Sequence, residues 1–311
     1  RDVEAEAPPV TFVFYPSPTF SVEPIPRPTG QELASSQRLI ENADSLAHAI
    51  TVNRKAKPRG PSFLRRLREI EDALDWANVS LTVSAEAQHA FTLSAEWLLD
   101  NAYLIREQIT NLRKSLPQKR YGKLPLIASG TGAGLPRVYH LAAEMVAEND
   151  AALEPEIIRR FLGAFQAITP LGIAELWALP LMLRLQLLEC LRTLAIQVEQ
   201  QQRQSEEADF WANRLITAVR HSSPRLLKIM EELVEWYPEP TPHFASELVA
   251  HLYDDEGALP LMTGWLERSL RSPLLGVMQQ EHRHQAVQQT ELTKDTNRSS
   301  RGAQMTGRGV C

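Results

Sequence analysis

The sequence lacks a surplus of basic residues, and it is poor in aromatic residues. Lysine and arginine number 33 against 38 aspartates and glutamates, so the formal net charge is −5 over 311 residues. Nucleic-acid binders usually carry a basic surplus or stripe, and single-strand binders stack bases on aromatic side chains. With 7% aromatic residues and a negative charge, the chain is not expected to bind nucleic acid.

Cysteine and long uncharged apolar runs are also scarce. Cys190 and Cys311 are too few for a disulfide framework, which favours a reducing compartment. The most apolar stretch, residues 171–198, contains charged side chains such as Glu175 and Arg184. A membrane span needs about 20 residues nearly free of charge, so this stretch is interpreted as a core helix. No signal-peptide pattern is present. We expect a soluble, globular, intracellular chain.

The sequence has no G-x-S-x-G, H-E-x-x-H or C-x-x-C motif. A glycine-rich loop at 128–135 resembles a phosphate-binding loop, but Leu135 stands where a dinucleotide fingerprint needs its third glycine. The Lys-Ser/Thr pair of a P-loop is also missing. A turn before a helix is the favoured interpretation, and an anion near Arg137 remains the alternative.

Candidate metal ligands are weak. His243, Glu247 and His251 follow each other at four-residue intervals, but the third position is rotated by about 80° from the first on a helix. We favour surface or structural roles for the remaining ionisable candidates. These are the acidic turn 254–256, a helix face with Glu231, Glu232 and Glu235, the pair His282 and His284, and Cys190 as a small core residue. No catalytic, cofactor-binding or metal-binding residue is assigned.

Apolar spacing of three and four residues recurs from residue 31 onward and predicts helices. Leu98, Ile105 and Leu112 belong to an apolar seam on a helix over 84–116, and Ser62 is expected to cap the helix before it. The other predicted helices cover 31–50, 62–81, 137–149, 154–168, 171–203 (kinked at Pro180), 205–221, 223–237, 243–253, 258–271 and 273–289.

No stretch alternates between apolar and polar residues as a strand would, so we predict an all-α fold, an irregular multi-helix array. Residues 1–30 hold seven prolines and are expected to form a disordered, extended lead-in, with 11–15 as a candidate strand. Residues 31–289 form the helical domain, with sub-boundaries expected near 117–136 and 238–242. The polar, glycine-rich residues 290–311 are expected to be a disordered tail.

Three phrases are more specific than ordinary helix sequence. The first is A-E-W-L-L-D-N-A-Y-L-I at 95–105, followed by E-Q-I at 107–109. The second combines L-P-L at 124–126 with G-L-P-R-V-Y at 134–139, and the third combines T-P-L at 169–171 with I-A-E-L-W-A-L-P-L-M-L-R at 173–184. In this order and spacing they resemble the N-terminal region of the cyclic β-1,2-glucan synthases, over roughly residues 35–289.

The resemblance implies a very large bacterial membrane protein. Its transferase part uses UDP-glucose, with a divalent metal, to build a β-1,2-glucan that is closed into a ring, and a phosphorylase-like part adjusts chain length. The helical region would precede the membrane spans at the cytoplasmic face and would have these modules as partners. None of the family's catalytic residues falls within it. Gly132 is additional to the family's Gly130 and Gly134, and the tail departs from the family pattern, as a truncated or out-of-frame end would.

The motif residues also have physical interpretations. Trp97 and Trp177 are large enough to anchor packing between helices. Buried ionisable side chains are costly without partners, so Glu175 and Arg184 are each expected to find one, for example Arg137 with an acid. The motif residues that we expect to be mainly structural are Trp97, Asp100, Asn101, Arg137, Tyr139, Glu175, Trp177 and Arg184. The alternative is a ligand groove lined by Arg137, Tyr139 and Trp177.

Three functional hypotheses remain at this point. The favoured one is a scaffolding or regulatory, non-catalytic region of a cyclic β-1,2-glucan synthase-like protein. Because the chain begins with Arg1 instead of Met, it is expected to be processed or to be a piece of a longer polypeptide. The second hypothesis is a stand-alone helical interaction module. The third, an enzyme in its own right, is disfavoured because no acid–base or metal set is visible.

Overall fold

The structure, a computed structural model, describes residues 35–53, 62–87, 91–116, 124–130, 132–148, 153, 155–221, 225–253, 255, 257–276, 278–281 and 283. Within these residues the all-α prediction is confirmed, because only two strands of two residues each interrupt the helices. The lead-in 1–30 with its candidate strand, and the tail 290–311, lie outside the described residues.

The elements follow each other in a simple order. They are α1 (Ser35–Ala49), β1 (Val52–Asn53), α2 (Phe63–Glu86), α3 (Leu93–Asp100), α4 (Ala102–Ser115), β2 (Leu126–Ile127), α5 (Arg137–Glu148), α6 (Pro155–Ile168), α7 (Ile173–Arg220), α8 (Leu226–Trp236), α9 (Pro242–Leu252) and α10 (Ala258–Leu270). Residues 274–276 and 278–281 are also helical.

Side-chain oxygens begin several of these helices. The hydroxyl of Ser62 accepts from the amide of Arg65 at 3.3 Å, which confirms the predicted cap of α2. Thr92 and Thr241 cap α3 and α9 in the same way, at 3.2 Å each. These contacts satisfy amide groups that have no partner within their helix, so the chain changes direction at defined residues.

The 48-residue helix α7 is the axis of the fold. The helices α2, α3, α4 and α5 pack along its first part, and α8, α9 and α10 pack along its last part. Two apolar clusters result, one using α7 up to Val198 and the other starting at Ala208. Helix α1 joins the first cluster mainly by packing on α6.

The single helix predicted over 84–116 is wrong. Helix α2 continues to Glu86, and a new helix starts at Leu93 and is interrupted at Asn101. The Asn101 side chain donates to the carbonyl oxygen of Trp97 at 2.8 Å, and such local bonds compete with helix geometry. The apolar seam nevertheless faces the core, because Leu98 and Leu112 are buried.

The predicted boundary at Ser205 is also wrong, because α7 runs without interruption from Ile173 to Arg220 and continues through Pro180. The residues around Ser205 are mostly glutamine and glutamate, which are good helix formers. The Ser205 hydroxyl lies 3.2 Å from Nε2 of His243 on α9, so it takes part in a tertiary contact within the helix.

A small β-structure supports the glycine-rich turn. Strands β1 and β2 are antiparallel, with Val52 opposite Ile127. Gly130, Gly132 and Gly134 all have φ near +80°, a left-handed region that residues with a side chain rarely adopt. The turn brings the chain back to the first residue of α5, as predicted for punctuation before a helix. Among the described helices, none is both long enough and apolar enough to cross a bilayer.

The continuity of α7 can be tested with proline. If a helix began after Ser205, Glu206 would be its first residue and proline would be tolerated there. In a continuous helix, Glu206→Pro removes a backbone hydrogen bond and should lower the free energy of unfolding by about 3 kcal/mol or more, measured by urea denaturation. The control is Pro242→Ala at the first residue of α9, where we expect a loss below about 1 kcal/mol. Equal small effects would contradict the continuous helix.

Candidate functional site

Arg137 and Glu175 form a buried ion pair between the starts of α5 and α7. Arg137 donates through Nε to Oε1 of Glu175 at 2.9 Å and through Nη2 to Oε2 at 2.7 Å. Both side chains are buried, so the fork-shaped guanidinium is held in one orientation by a bidentate contact. The predicted partnership of Arg137 with an acid is confirmed for Glu175.

Further contacts complete this pair. The Oε2 atom of Glu175 also accepts from the amide of Gly172 at 2.9 Å, which satisfies a free donor at the start of α7. Arg137 donates to the carbonyl oxygen of Pro170 at 3.2 Å, and its guanidinium carbon lies 5.8 Å from the centre of the Phe165 ring. The carboxylate therefore joins two helix starts and caps one of them.

Tyr139, in the first turn of α5, forms a second polar contact in the first cluster. Its hydroxyl accepts from Nη1 of Arg66 on α2 at 2.8 Å, and its ring lies 5.3 Å from that of Phe63. Arg66 also lies 3.5 Å from Glu189 on α7. Burial raises the pKa of Glu189, and the nearby Arg66 and Arg192 oppose that rise. Tyr139 thus links α5 to α2.

The motif residues of α3 lie at the edge of the same cluster. Trp97 is half-buried and packs against it, as predicted for an anchor, whereas Asp100 is exposed. Asn101 is half-buried and hydrogen-bonded to Trp97, so neither polar residue is buried without a partner.

The prediction for Trp177 is wrong, because 79% of its surface is exposed. It lies two residues after Glu175, and positions two apart on a helix face different directions. The proposed groove of Arg137, Tyr139 and Trp177 is therefore not formed, since the first two are buried. Arg184 is exposed, so the burial cost that called for a partner does not arise.

Three amides of the glycine-rich turn already donate to carbonyl oxygens within the chain. The amide of Gly134 donates to the carbonyl oxygen of Ile127 at 2.9 Å, and those of Ala133 and Leu135 donate to Gly130 and Gly132. The Arg137 side chain is held by Glu175. The turn interpretation is therefore favoured over the phosphate-loop alternative.

Between the two apolar clusters lies a group of buried polar side chains, which we call the polar belt: Glu199, Gln202, Glu207, His243 and Glu281. Ser80 on α2 donates to Glu199 at 2.9 Å, and the hydroxyl of Tyr237 donates to Glu207 at 2.6 Å. Burial raises the pKa of both Glu199 and Glu207. Burial and the Glu207 carboxylate also raise the pKa of Tyr237, which keeps its phenol protonated as the donor in this contact.

His243 connects three segments within the belt. Its Nδ1 lies 2.9 Å from Glu281, and its Nε2 lies 3.2 Å from the carbonyl oxygen of Gln201 and from Ser205. Burial alone would lower the pKa of His243, but the bond to Glu281, the carboxylates of Glu247 and Glu281, and the Gln201 carbonyl raise it. A protonated ring can donate to both acceptors.

The order Ser205–His243–Glu281 resembles a nucleophile, a base and an orienting acid, an arrangement that the sequence analysis missed. A general base needs a free lone pair on the nitrogen that faces the serine. Here Nε2 also faces the Gln201 carbonyl, which can only accept a hydrogen bond, so the protonated ring is favoured. The contacts of the His243 ring therefore connect α7, α9 and the segment with Glu281.

The metal alternative gains no support from the described geometry. His243 is engaged with Glu281, and His251 is exposed and lies 3.6 Å from Asp209. Over the described ranges, no three His, Cys, Asp or Glu side chains are grouped as metal ligands would be. Asp254, Glu256, His282 and His284 lie outside those ranges.

Asp255 and Glu232, two of the other acidic candidates, have structural contacts. Asp255 accepts from the amides of Gly257 and Ala258 at the start of α10, and these bonds lower the pKa of its carboxyl group. Glu232 pairs with Arg214 at 2.8 Å across an open groove of about 890 Å³ between α7 and α8. Cys190 packs against the first cluster, and burial raises the pKa of its thiol.

The chain is 32% identical over 208 residues to the cyclic β-(1,2)-glucan synthase NdvB of Rhizobium meliloti (strain 1021). The matched region is 67% of this chain and 7% of the relative's length, so the chain spans a small part of that protein. No protein-family model matches the chain. The resemblance indicated by the three phrases is confirmed: the chain is related to a cyclic β-(1,2)-glucan synthase.

The buried pair can be tested by breaking it and by replacing it. Glu175→Leu leaves the Arg137 charge buried and should lower the free energy of unfolding by about 3–5 kcal/mol. The double variant Arg137→Met/Glu175→Leu should recover most of this loss, apart from about 1 kcal/mol for the lost cap. Glu69→Leu, which breaks the exposed pair with Arg65, should cost less than about 1 kcal/mol. Urea denaturation measures all three, and a double variant no better than the single one would contradict the pair's role.

The polar belt makes stability depend on pH through His243. Because the pKa of His243 is raised in the folded state, its contribution is present below the unfolded pKa of about 6.5 and is lost as pH rises through the folded pKa. We expect the unfolding free energies of the wild type and His243→Gln to differ more at pH 5.5 than at pH 8.5. His251→Gln, at an exposed position, is the control. A difference that grows with pH would contradict the sign.

Proposed function

We propose that the chain is a non-catalytic helical region that scaffolds or regulates a cyclic β-1,2-glucan synthase-like protein. The whole protein would transfer glucose from UDP-glucose to build a β-1,2-glucan and close it into a ring. The relative that supports this proposal is named for the cyclic glucan, and it is far longer than the matched region.

One observation carries the scaffolding part of the proposal. Arg137, Tyr139 and Glu175, which belong to the specific phrases, are buried and are used for contacts within the chain. Residues that bind a substrate need groups left open to it, whereas these join α2, α5 and α7. Their chemistry therefore fits a region whose specific residues preserve its shape.

This role has consequences for partners and place. The UDP-glucose substrate and a divalent metal would bind to the transferase part of the whole protein, which would be a partner of this region together with the phosphorylase-like part. The region would lie at the cytoplasmic face of the bacterial inner membrane. The chain would contribute a rigid helical surface to that assembly.

A second candidate is a stand-alone helical module for protein–protein interaction. The observation that favours it is the outward apolar face at the start of α7, where Ile173 and Trp177 are 76% and 79% exposed. Such a face could bind either another polypeptide or a further part of the same polypeptide. The scaffolding region and the stand-alone module therefore differ in whether the gene encodes such a further part.

The nucleotide sequence after codon 311 distinguishes the two. The scaffolding proposal expects a reading frame that continues into membrane spans and a transferase core with an Asp-x-Asp pair. A stop codon directly after Cys311, with unrelated neighbouring genes, would favour the stand-alone module.

An assay with UDP-glucose tests the proposal that this chain is non-catalytic. The purified 311-residue chain should release no UDP above the buffer control, whereas the intact gene product should release UDP and form labelled β-1,2-glucan. The heat-inactivated gene product is the background control. Release of UDP by the chain alone would favour the third hypothesis, an enzyme in its own right.

A further inference from the structure

The first three turns of α7 are apolar on two opposite faces. The inward face contains Ala178, Leu179 and Met182, which are buried in the first cluster. The outward face contains Ile173, Leu176, Trp177 and Pro180, all exposed. A helix that is apolar all round is normally buried on both sides. The outward face of this part of α7 therefore stays uncovered by the described elements.

The outward residues form a continuous stripe. Leu176, Trp177 and Pro180 follow Ile173 by three, four and seven residues. The four side chains therefore lie within about 100° of one another around the helix axis. Arg184, eleven positions after Ile173, extends the same stripe at its C-terminal end. Arg184 is exposed and forms no ion pair with any residue that the structure describes. We call these five residues the outward stripe.

The outward stripe is presented by a rigid support. Glu175 lies between Ile173 and Trp177 in sequence, and it points inward to Arg137 with hydrogen bonds of 2.7 and 2.9 Å. The start of α7 is therefore held in both position and rotation. A surface that is already ordered loses little conformational entropy on binding, which favours its use in an interface.

We propose that the outward stripe is a docking surface for another part of the same polypeptide, one that presents an apolar recess with a carboxylate facing Arg184. This inference rests on the proposed function. The matched region is 7% of the relative, so most of such a polypeptide is available to cover the stripe. Trp is the residue most suited to fill a recess at the centre of an interface, and Arg suits a carboxylate at its edge.

Site-specific photo-cross-linking tests the occupant directly. The intact gene product is prepared with p-benzoylphenylalanine in place of Trp177, irradiated and digested, and the cross-linked peptides are identified by mass spectrometry. A second preparation carries the photoreactive residue in place of Tyr103 on α4, which is 77% exposed and therefore a matched control. We expect position 177 to cross-link to peptides outside these 311 residues with at least tenfold higher yield than position 103.

A further variant distinguishes a loss of docking from a loss of folding. Ile173→Asp places a charge in the outward stripe at an exposed position, so the thermal unfolding of the chain should change little. In the preparation with the photoreactive residue at 177, Ile173→Asp should lower the cross-linking yield about tenfold or more. An unchanged yield would contradict the docking surface.

Each remaining outcome has a defined meaning. Cross-links from 177 to a second copy of the chain, to residues 1–30, or to no peptide at all would overturn the proposal. The gene sequence and the UDP-glucose assay report on the proposed function separately. An intact product that makes glucan without a cross-link from 177 would overturn the docking surface alone.

Discussion

One buried contact, the ion pair between Arg137 and Glu175, determines how the starts of α5 and α7 meet. Glu175 is close to the start of α7, the helix that packs against most of the others, so this contact holds the first turn of that axis against α5. A single charge at such a buried position would cost several kcal/mol without its partner. The glycine-rich turn must therefore return the chain so that Arg137 begins α5 opposite Glu175, and the left-handed φ values of Gly130 and Gly134 make that turn accessible.

The long helix α7 runs through both apolar clusters, and polar contacts hold its neighbours against it between them. The polar belt lies where the apolar stripe of α7 is interrupted, between Val198 and Ala208. It connects α7 to neighbouring helices through hydrogen bonds, from Ser80 to Glu199 and from Tyr237 to Glu207. Burial raises the pKa of both glutamates, so these contacts of α7 with Ser80 and Tyr237 are tied to protonation in a way that apolar packing is not.

Much of the fold could be predicted from the sequence, because amphipathic periodicity and capping residues are local signals. Helices α1, α5, α6, α8, α9 and α10 lie close to their predicted bounds, and the cost of burying a charge indicated that Glu175 needs a partner and that Arg137 could meet an acid, although it did not pair the two with each other. The interruption at Asn101 and the continuity through Ser205 depend on which partner each side chain finds, a carbonyl one turn back or a histidine on α9. Such partners depend on tertiary structure, so periodicity alone could not indicate them.

Trp177, at the candidate site, shows the same limit of prediction from sequence, and its exposure is informative in itself. A large aromatic residue in an apolar helix is expected in a core, but the start of α7 has two apolar faces and the first cluster covers the one that contains Glu175. Sequence cannot indicate which of two apolar faces meets the chain's own core. The buried carboxylate decides it, because its partner Arg137 belongs to α5. The remaining face, with Ile173 and Trp177, is then an excess of apolar surface that this core does not use, as a region that packs against a further part of a larger protein would present.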